Sequence, residues 1–177
     1  HYDILQEGSL KVKNYLTEHG KSLDISLFGS QSYFDDNNKC LGDISEFSGF
    51  NNVVSSQQFL EYDLGKHFDI SMSGITVPTK SIVNNIDYLE NFVRGIRVDY
   101  FLLTSCDIKF IHQLEKNTVK VRRHPNQESA IIGLEERVFD SIVYYVYHIK
   151  YSSYNKILYE KLIRHLLINI LKPLIHL

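Results

Sequence analysis

Two cysteines, Cys40 and Cys106, are the only thiols in 177 residues, and neither belongs to a C-x-x-C pair or a Cys/His cluster. That argues against a disulfide framework and a zinc site, and for a reducing, cytoplasmic compartment. The eight histidines show no H-E-x-x-H spacing and the serines no G-x-S-x-G elbow, so neither a zinc enzyme nor a serine hydrolase is expected. An excess of one charge is also lacking. The formal net charge of -2 argues against a globally basic nucleic-acid binder and leaves room for a local basic groove. Long hydrophobic runs are missing as well. The most apolar stretch, "KILYEKLIRHLLINILKPLIHL", is broken by Glu160, Lys161, Arg164, His165 and Lys172. It falls short of the roughly 18 to 20 apolar residues a membrane span requires. A buried or partner-facing helix is expected there, and no membrane association.

What is present suits a folded domain. Hydrophobic residues make up 44% of the chain and charged residues 23%, enough for one core under an ordinary polar surface. The chain opens at His1 with neither a methionine nor a leader, as expected of a fragment of something longer. Residues 3–19 carry apolar positions at helical spacing and predict a first helix ending near Gly20. "LDISLF" and "GDISEF" alternate and predict strands across an intervening polar loop. "VVSSQQFLEYDLGKH" predicts a helix that stops near Gly65. "FDISMSGITV" predicts a strand, "SIVNNIDYLENFV" fits either strand or helix, and "GIRVDYFLLTS" predicts a strand from its Val, Tyr and Phe. "DIKFIHQLEKNTVKV" predicts a helix, the Pro125 region a loop, and residues 134–150 and 155–175 two more helices. The sum is an α/β or α+β sheet domain with a helical C-terminal portion.

Chemistry concentrates in "LFGSQSYFDDNNKCLGDISEF". Gly29 allows a sharp turn and close approach to a phosphate, and Ser30 offers a hydroxyl and an amide. Carboxylates at alternate strand positions, with another from a neighbouring strand, would hold divalent metals about 3.5 to 4 Å apart for phosphoryl transfer. Asp99 and Asp69 compete for that remote carboxylate, and Asp99 has the more apolar flanks. The structural alternative is equally concrete: a Gly-Ser turn and aspartates that accept backbone hydrogen bonds.

Residues 11–47 resemble the catalytic core of the poxvirus-type poly(A) polymerase catalytic subunit, within the polymerase-β-like nucleotidyltransferase superfamily. "YLTEHGKS", "LFGSQSYF" and "GDI" carry that likeness. Downstream, "IDYLENFVRGIRVDYFLL" and "SCDIKFIHQLEKN" extend it to roughly residues 10–120. The resemblance implies a nucleotidyltransferase core, a mixed sheet flanked by helices, over residues 1–125, with a helical portion over 126–177. It implies that Gly29 and Ser30 bind nucleotide phosphate and that Asp43 and Asp99 are catalytic carboxylates holding Mg2+ or Mn2+. ATP and an RNA primer would be the substrates, a processivity subunit the partner, and an infected host cell the setting. Ser45 departs from the pattern, standing where the second metal-binding carboxylate belongs. A neutral hydroxyl does not offset the charge of two divalent cations, so a domain without catalysis is the alternative the departure raises.

The basic run "KNTVKVRRHP" offers Lys116, Lys120, Arg122 and Arg123 to nucleic-acid or triphosphate phosphates; a solvated helix end is the plainer reading. Arg94 and Arg97 are candidates for phosphate or for a salt bridge to Glu90. The tyrosines from Tyr144 to Tyr159 offer base stacking, but their helical spacing points to the core.

Overall fold

The computed structural model describes residues 4–5, 25–28, 31–35, 37, 39–44, 53–65, 74–113, 119–122, 132–151 and 153–175. The strands are β1 (Ile4–Leu5), β2 (Ile25–Phe28), β3 (Gln31–Phe34), β4 (Cys40–Ile44), β5 (Val53–Ser55), β6 (Ile75–Thr76), β7 (Phe110–Gln113) and β8 (Val119–Arg122). The helices are α1 (Ser56–Gly65), α2 (Thr79–Asn84), α3 (Ile86–Leu89), α4 (Val98–Thr104), α5 (Leu134–Tyr151) and α6 (Lys156–Ile175). The domain is therefore mixed α/β.

Helix α1 starts on a reciprocal capping box. Ser55 Oγ accepts from the Gln58 amide at 3.1 Å, and Gln58 Oε1 accepts from the Ser55 amide at 2.9 Å. Helix α5 opens with Glu136 accepting from the Gly133 amide at 3.1 Å, its first-turn Glu135 and Glu136 and last-turn Lys150 complementing the helix dipole. Helix α6 is capped by Asn155 Oδ1, which accepts from the Leu158 amide at 2.9 Å.

The strands form two four-stranded mixed sheets, ordered β1-β8-β3-β4 and β5-β7-β2-β6. In the second, β2 and β7 run parallel, with Phe28 opposite Gln113. In the first, β3 and β8 run parallel, with Gln31 opposite Val119. The parallel pair thus leaves one sheet and re-forms in the other. Helices cover the β5-β7-β2-β6 sheet. Val54 and Ile111 enter one apolar cluster with Phe59 and Leu60 of α1, Phe101 and Leu103 of α4, Tyr144 and Tyr147 of α5, and Leu158 and Leu162 of α6. Phe101 sits among three rings, those of Tyr88, Phe92 and Tyr147, at centroid distances of 5.9, 5.5 and 4.5 Å.

The two C-terminal helices lie where the pattern predicts them, β2 lies within its predicted strand, and β4 overlaps the predicted "GDISEF" strand at residues 42–44. Of the helix predicted over "VVSSQQFLEYDLGKH", residues 56–65 form α1, whereas Val53–Ser55 form β5, held by pairing with β7. Further readings change. "GIRVDYFLLTS" is not a strand: residues 98–104 form α4. Residues 99 to 104 are all buried, so the period that separates strand from helix is absent from this segment, and strand propensity gives way to packing. "DIKFIHQLEKNTVKV" is not a helix; it contains β7 and β8, whose pairing with β2 and β3 outweighs the charged residues between them. Within residues 3–19, Ile4–Leu5 pair with β8 as strand β1, and residues 6–19 lie outside the described residues. The ambiguous "SIVNNIDYLENFV" is helical, as α2 and α3. Of "FDISMSGITV", Ile75 and Thr76 form β6. No helix among the described residues is long and apolar enough to cross a membrane.

Candidate functional site

The turn and the first carboxylate are approached through the strands that flank them. β2 ends at Phe28, and β3 begins at Gln31 in the other sheet. Gly29 and Ser30 themselves lie outside the described residues, as do Ser45, Asp69, Lys116 and Arg123. Asp43 stands on β4, within the antiparallel β3–β4 hairpin. The register puts Ser32 opposite Asp43 on one side and opposite Lys120 on the other. Asp43, Ser32 and Lys120 therefore form one lateral row across three strands. Arg122, exposed, lies two residues further along β8, opposite Phe34 of β3. One step off the row, Tyr33 and Val121 form a small buried pair.

Sequence reading placed a loop where β3 runs, and so missed Ser32 as the residue linking Asp43 to the basic strand. "QSYF", with two adjacent aromatic residues of high strand propensity, carried the signal. The β3–β4 loop also has its own use for an aspartate. Asp35 Oδ1 accepts from the amides of Asn37 and Lys39 at 2.9 and 2.8 Å, and the Asp35 amide donates to the Lys39 carbonyl at 3.1 Å. This Asx-type closure commits Asp35 to the hairpin turn.

Asp99 belongs to different surroundings. It sits in the first turn of α4, only 8% exposed, and its Oδ1 accepts from the Tyr100 amide at 2.9 Å. Burial pushes its carboxyl up to about 7, against the opposing pulls of the Tyr100 amide and the Arg97 guanidinium. Arg97, on the turn before α4, pairs with Asp63 of α1 at 3.1 Å. Its guanidinium lies 4.6 Å from the Tyr100 ring centre and 5.6 Å from that of Tyr144. Burial works against the guanidinium, but Asp63 and the hydroxyls of Tyr145, Tyr144 and Tyr100 outweigh it and hold its pKa above the ordinary arginine value.

Mg2+ and Mn2+ take several oxygens and keep several waters, which requires an open, ionised carboxylate. Asp99 is enclosed, hydrogen-bonded within its own helix and inclined toward the protonated form. It does not fit the role of metal ligand that the resemblance implies. Among the described residues, no group of three or more His, Cys, Asp or Glu side chains is placed to hold a metal ion.

The other candidate arginine is also committed to structure. Arg94 pairs with Glu136 of α5 at 2.7 Å rather than with Glu90. The backbone around it wraps a carboxylate: Asp140, fully buried on α5, accepts from the amides of Val93, Arg94 and Ile96 at 2.8, 3.2 and 2.9 Å. Gly95 makes this possible, since its φ of +71° turns the chain in a region L side chains rarely adopt. The tyrosine spacing resolves as core: Tyr144, Tyr145 and Tyr147 are buried, while Tyr151 and Tyr159 are exposed.

Beside them lies a polar chain that the sequence did not reveal. Fully buried His148 contacts Tyr154 Oη through Nδ1 at 2.9 Å and Thr104 Oγ1 through Nε2 at 3.0 Å. Thr104 Oγ1 donates to the Tyr100 carbonyl at 2.7 Å, so Nε2 carries the proton and Nδ1 accepts from Tyr154. Burial pushes His148 down to about 3.

Comparison of the chain with protein families, curated proteins and solved structures finds no match in any of the three.

Proposed function

We propose that this chain is a nucleotidyltransferase-like domain that binds single-stranded RNA through phosphate contacts and does not itself transfer a nucleotide. One observation carries the second half of the reading: the carboxylate expected beside Asp43 on a neighbouring strand, Asp99, is enclosed on helix α4 with its pKa raised to about 7. Ser45 adds a neutral residue at another metal position. Two of three carboxylates are then unfit for two-metal catalysis.

RNA binding is supported by the basic strand. Lys120 and Arg122 alternate on β8, and Phe34 stands opposite Arg122 in the register. Backbone phosphates match the cations on this strand. Fluorescence anisotropy with a labelled single-stranded RNA over a salt series tests this. Replacing Lys120 and Arg122 together by alanine is expected to weaken binding and to flatten the dependence of log K on log salt by about 1.4. Unchanged affinity and slope would refute the assignment.

Template-independent transfer of AMP from ATP to an RNA 3′ end is the second reading. The row of Asp43, Ser32 and Lys120, following directly on the Gly29-Ser30 segment, favours it. Metal-dependent lengthening of an RNA primer distinguishes the two.

A further inference from the structure

Helix α6 changes character halfway along. Its first half buries Leu158 and Leu162 in the core and exposes the charged Lys156, Glu160, Lys161 and Arg164 along with Ile157 and Tyr159. From Leu167 to Leu171 the exposed residues are large and apolar instead: Leu167 is 52% exposed, Ile168 42%, Ile170 44% and Leu171 50%. Asn169, the one polar side chain among them, donates to the His165 carbonyl of its own helix at 2.8 Å. That bond meets one of the two amide donors of Asn169 within its own helix.

Helix α5 adds to the same end of the hairpin. The Tyr145 and His165 rings meet at 5.8 Å, and Phe139 and Leu171 each lie six residues beyond that contact along antiparallel helices. Phe139 is 48% exposed and Leu134, in the opening turn of α5, is 49% exposed. Six large apolar side chains, each about half exposed, thus occupy the end of the α5–α6 hairpin away from its connection.

We infer that this apolar end is a homodimer interface, in which the α5–α6 hairpin of a second copy packs on the first to form a four-helix arrangement. Area selects the occupant. At about 180 Å2 for a whole large apolar residue, the six expose on the order of 500 Å2. Homodimer interfaces are about 65% apolar, so this corresponds to roughly 800 Å2 per copy, the size a stable dimer needs. A two-fold interface brings one patch against itself, apolar side chain against apolar side chain. The inference is independent of RNA binding, because Lys120 and Arg122 lie on β8.

The test is the mass of the protein in solution, by light scattering and by sedimentation equilibrium from about 1 to 100 µM. The expected result is a concentration-dependent dimer. Leu167→Glu with Leu171→Glu removes two anchors from each copy and should raise the dissociation constant at least roughly 100-fold. Phe139→Glu, on the other helix, should weaken it as well, and circular dichroism checks that each variant remains folded. A wild-type monomer throughout the range would overturn the inference and leave the patch to a different protein. A dimer indifferent to the folded variants would also overturn it, since its interface would then lie elsewhere.

Discussion

Acidity should act on this fold through two buried groups of opposite sign. His148 has its pKa depressed to about 3 from an ordinary 6.5 by burial alone. The unfolded chain therefore holds one more proton than the folded chain between these values, and stability drains away as pH falls from 6.5 toward 3. Asp99 is raised from 3.8 to about 7. Here the folded chain holds the extra proton, so stability is present below 3.8 and is lost as pH rises toward 7. At about 1.4 kcal/mol per pH unit, the full effects are on the order of 5 kcal/mol for His148 and 4 kcal/mol for Asp99. Between about pH 4 and 6.5 the two slopes oppose each other and largely cancel. Urea unfolding at several pH values in that window, for wild type, Asp99→Asn, His148→Gln and the double variant, isolates them. Carboxylates common to all four proteins drop out of the differences. Relative to the double variant, Asp99→Asn should lose stability toward acid by about 1.4 kcal/mol per unit. His148→Gln should gain by a similar amount. Parallel profiles for the two single variants would refute the reasoning, because each would then lack the burial assigned to its titrating group.

Other perturbations follow from the same interior. Arg97→Met leaves Asp63, 1% exposed, without its guanidinium and should cost about 3 to 5 kcal/mol by urea unfolding. A loss under about 1 kcal/mol would mean the pair is weak. Asp140→Ala strips the acceptor from three amides of the 93–96 turn. It should cost about 2 to 3 kcal/mol and accelerate hydrogen exchange at Val93, Arg94 and Ile96, whereas unchanged exchange would show that Asp140 does not hold the turn.

Legibility in the sequence followed the strength of the local signal. α5 and α6 were readable to within a residue because each is long and periodic. The end of α1 was readable from Gly65, but its start was not, because Val53–Ser55 belong to β5 and the Ser55–Gln58 capping box begins the helix only after them. α4 was not: burial on every side removes its periodicity, and Val98, Tyr100 and Phe101 favour a strand when taken alone. β7 and β8 were hidden for the opposite reason, since four-residue strands depend on partners distant in sequence. The candidate site divided in the same way. Asp43 is on a strand as expected, because "GDI" alternates within a short hairpin arm. Asp99 stands on a helix instead of the strand expected for it, buried and bonded to the Tyr100 amide. The ion pair of Arg97 with Asp63 and the three-amide cradle around Asp140 join residues 34 and more than 40 positions apart. No local pattern encodes contacts of that range.

The most direct test of the account combines binding and chemistry in one experiment. The protein is incubated with a 5′-labelled single-stranded RNA, ATP and either Mg2+ or Mn2+, and both retention of the RNA and its length are measured. The account expects RNA bound in a salt-sensitive, Lys120- and Arg122-dependent manner, with its length unchanged. Lengthening that requires the metal and disappears in Asp43→Asn would contradict it and establish the chain as a working transferase.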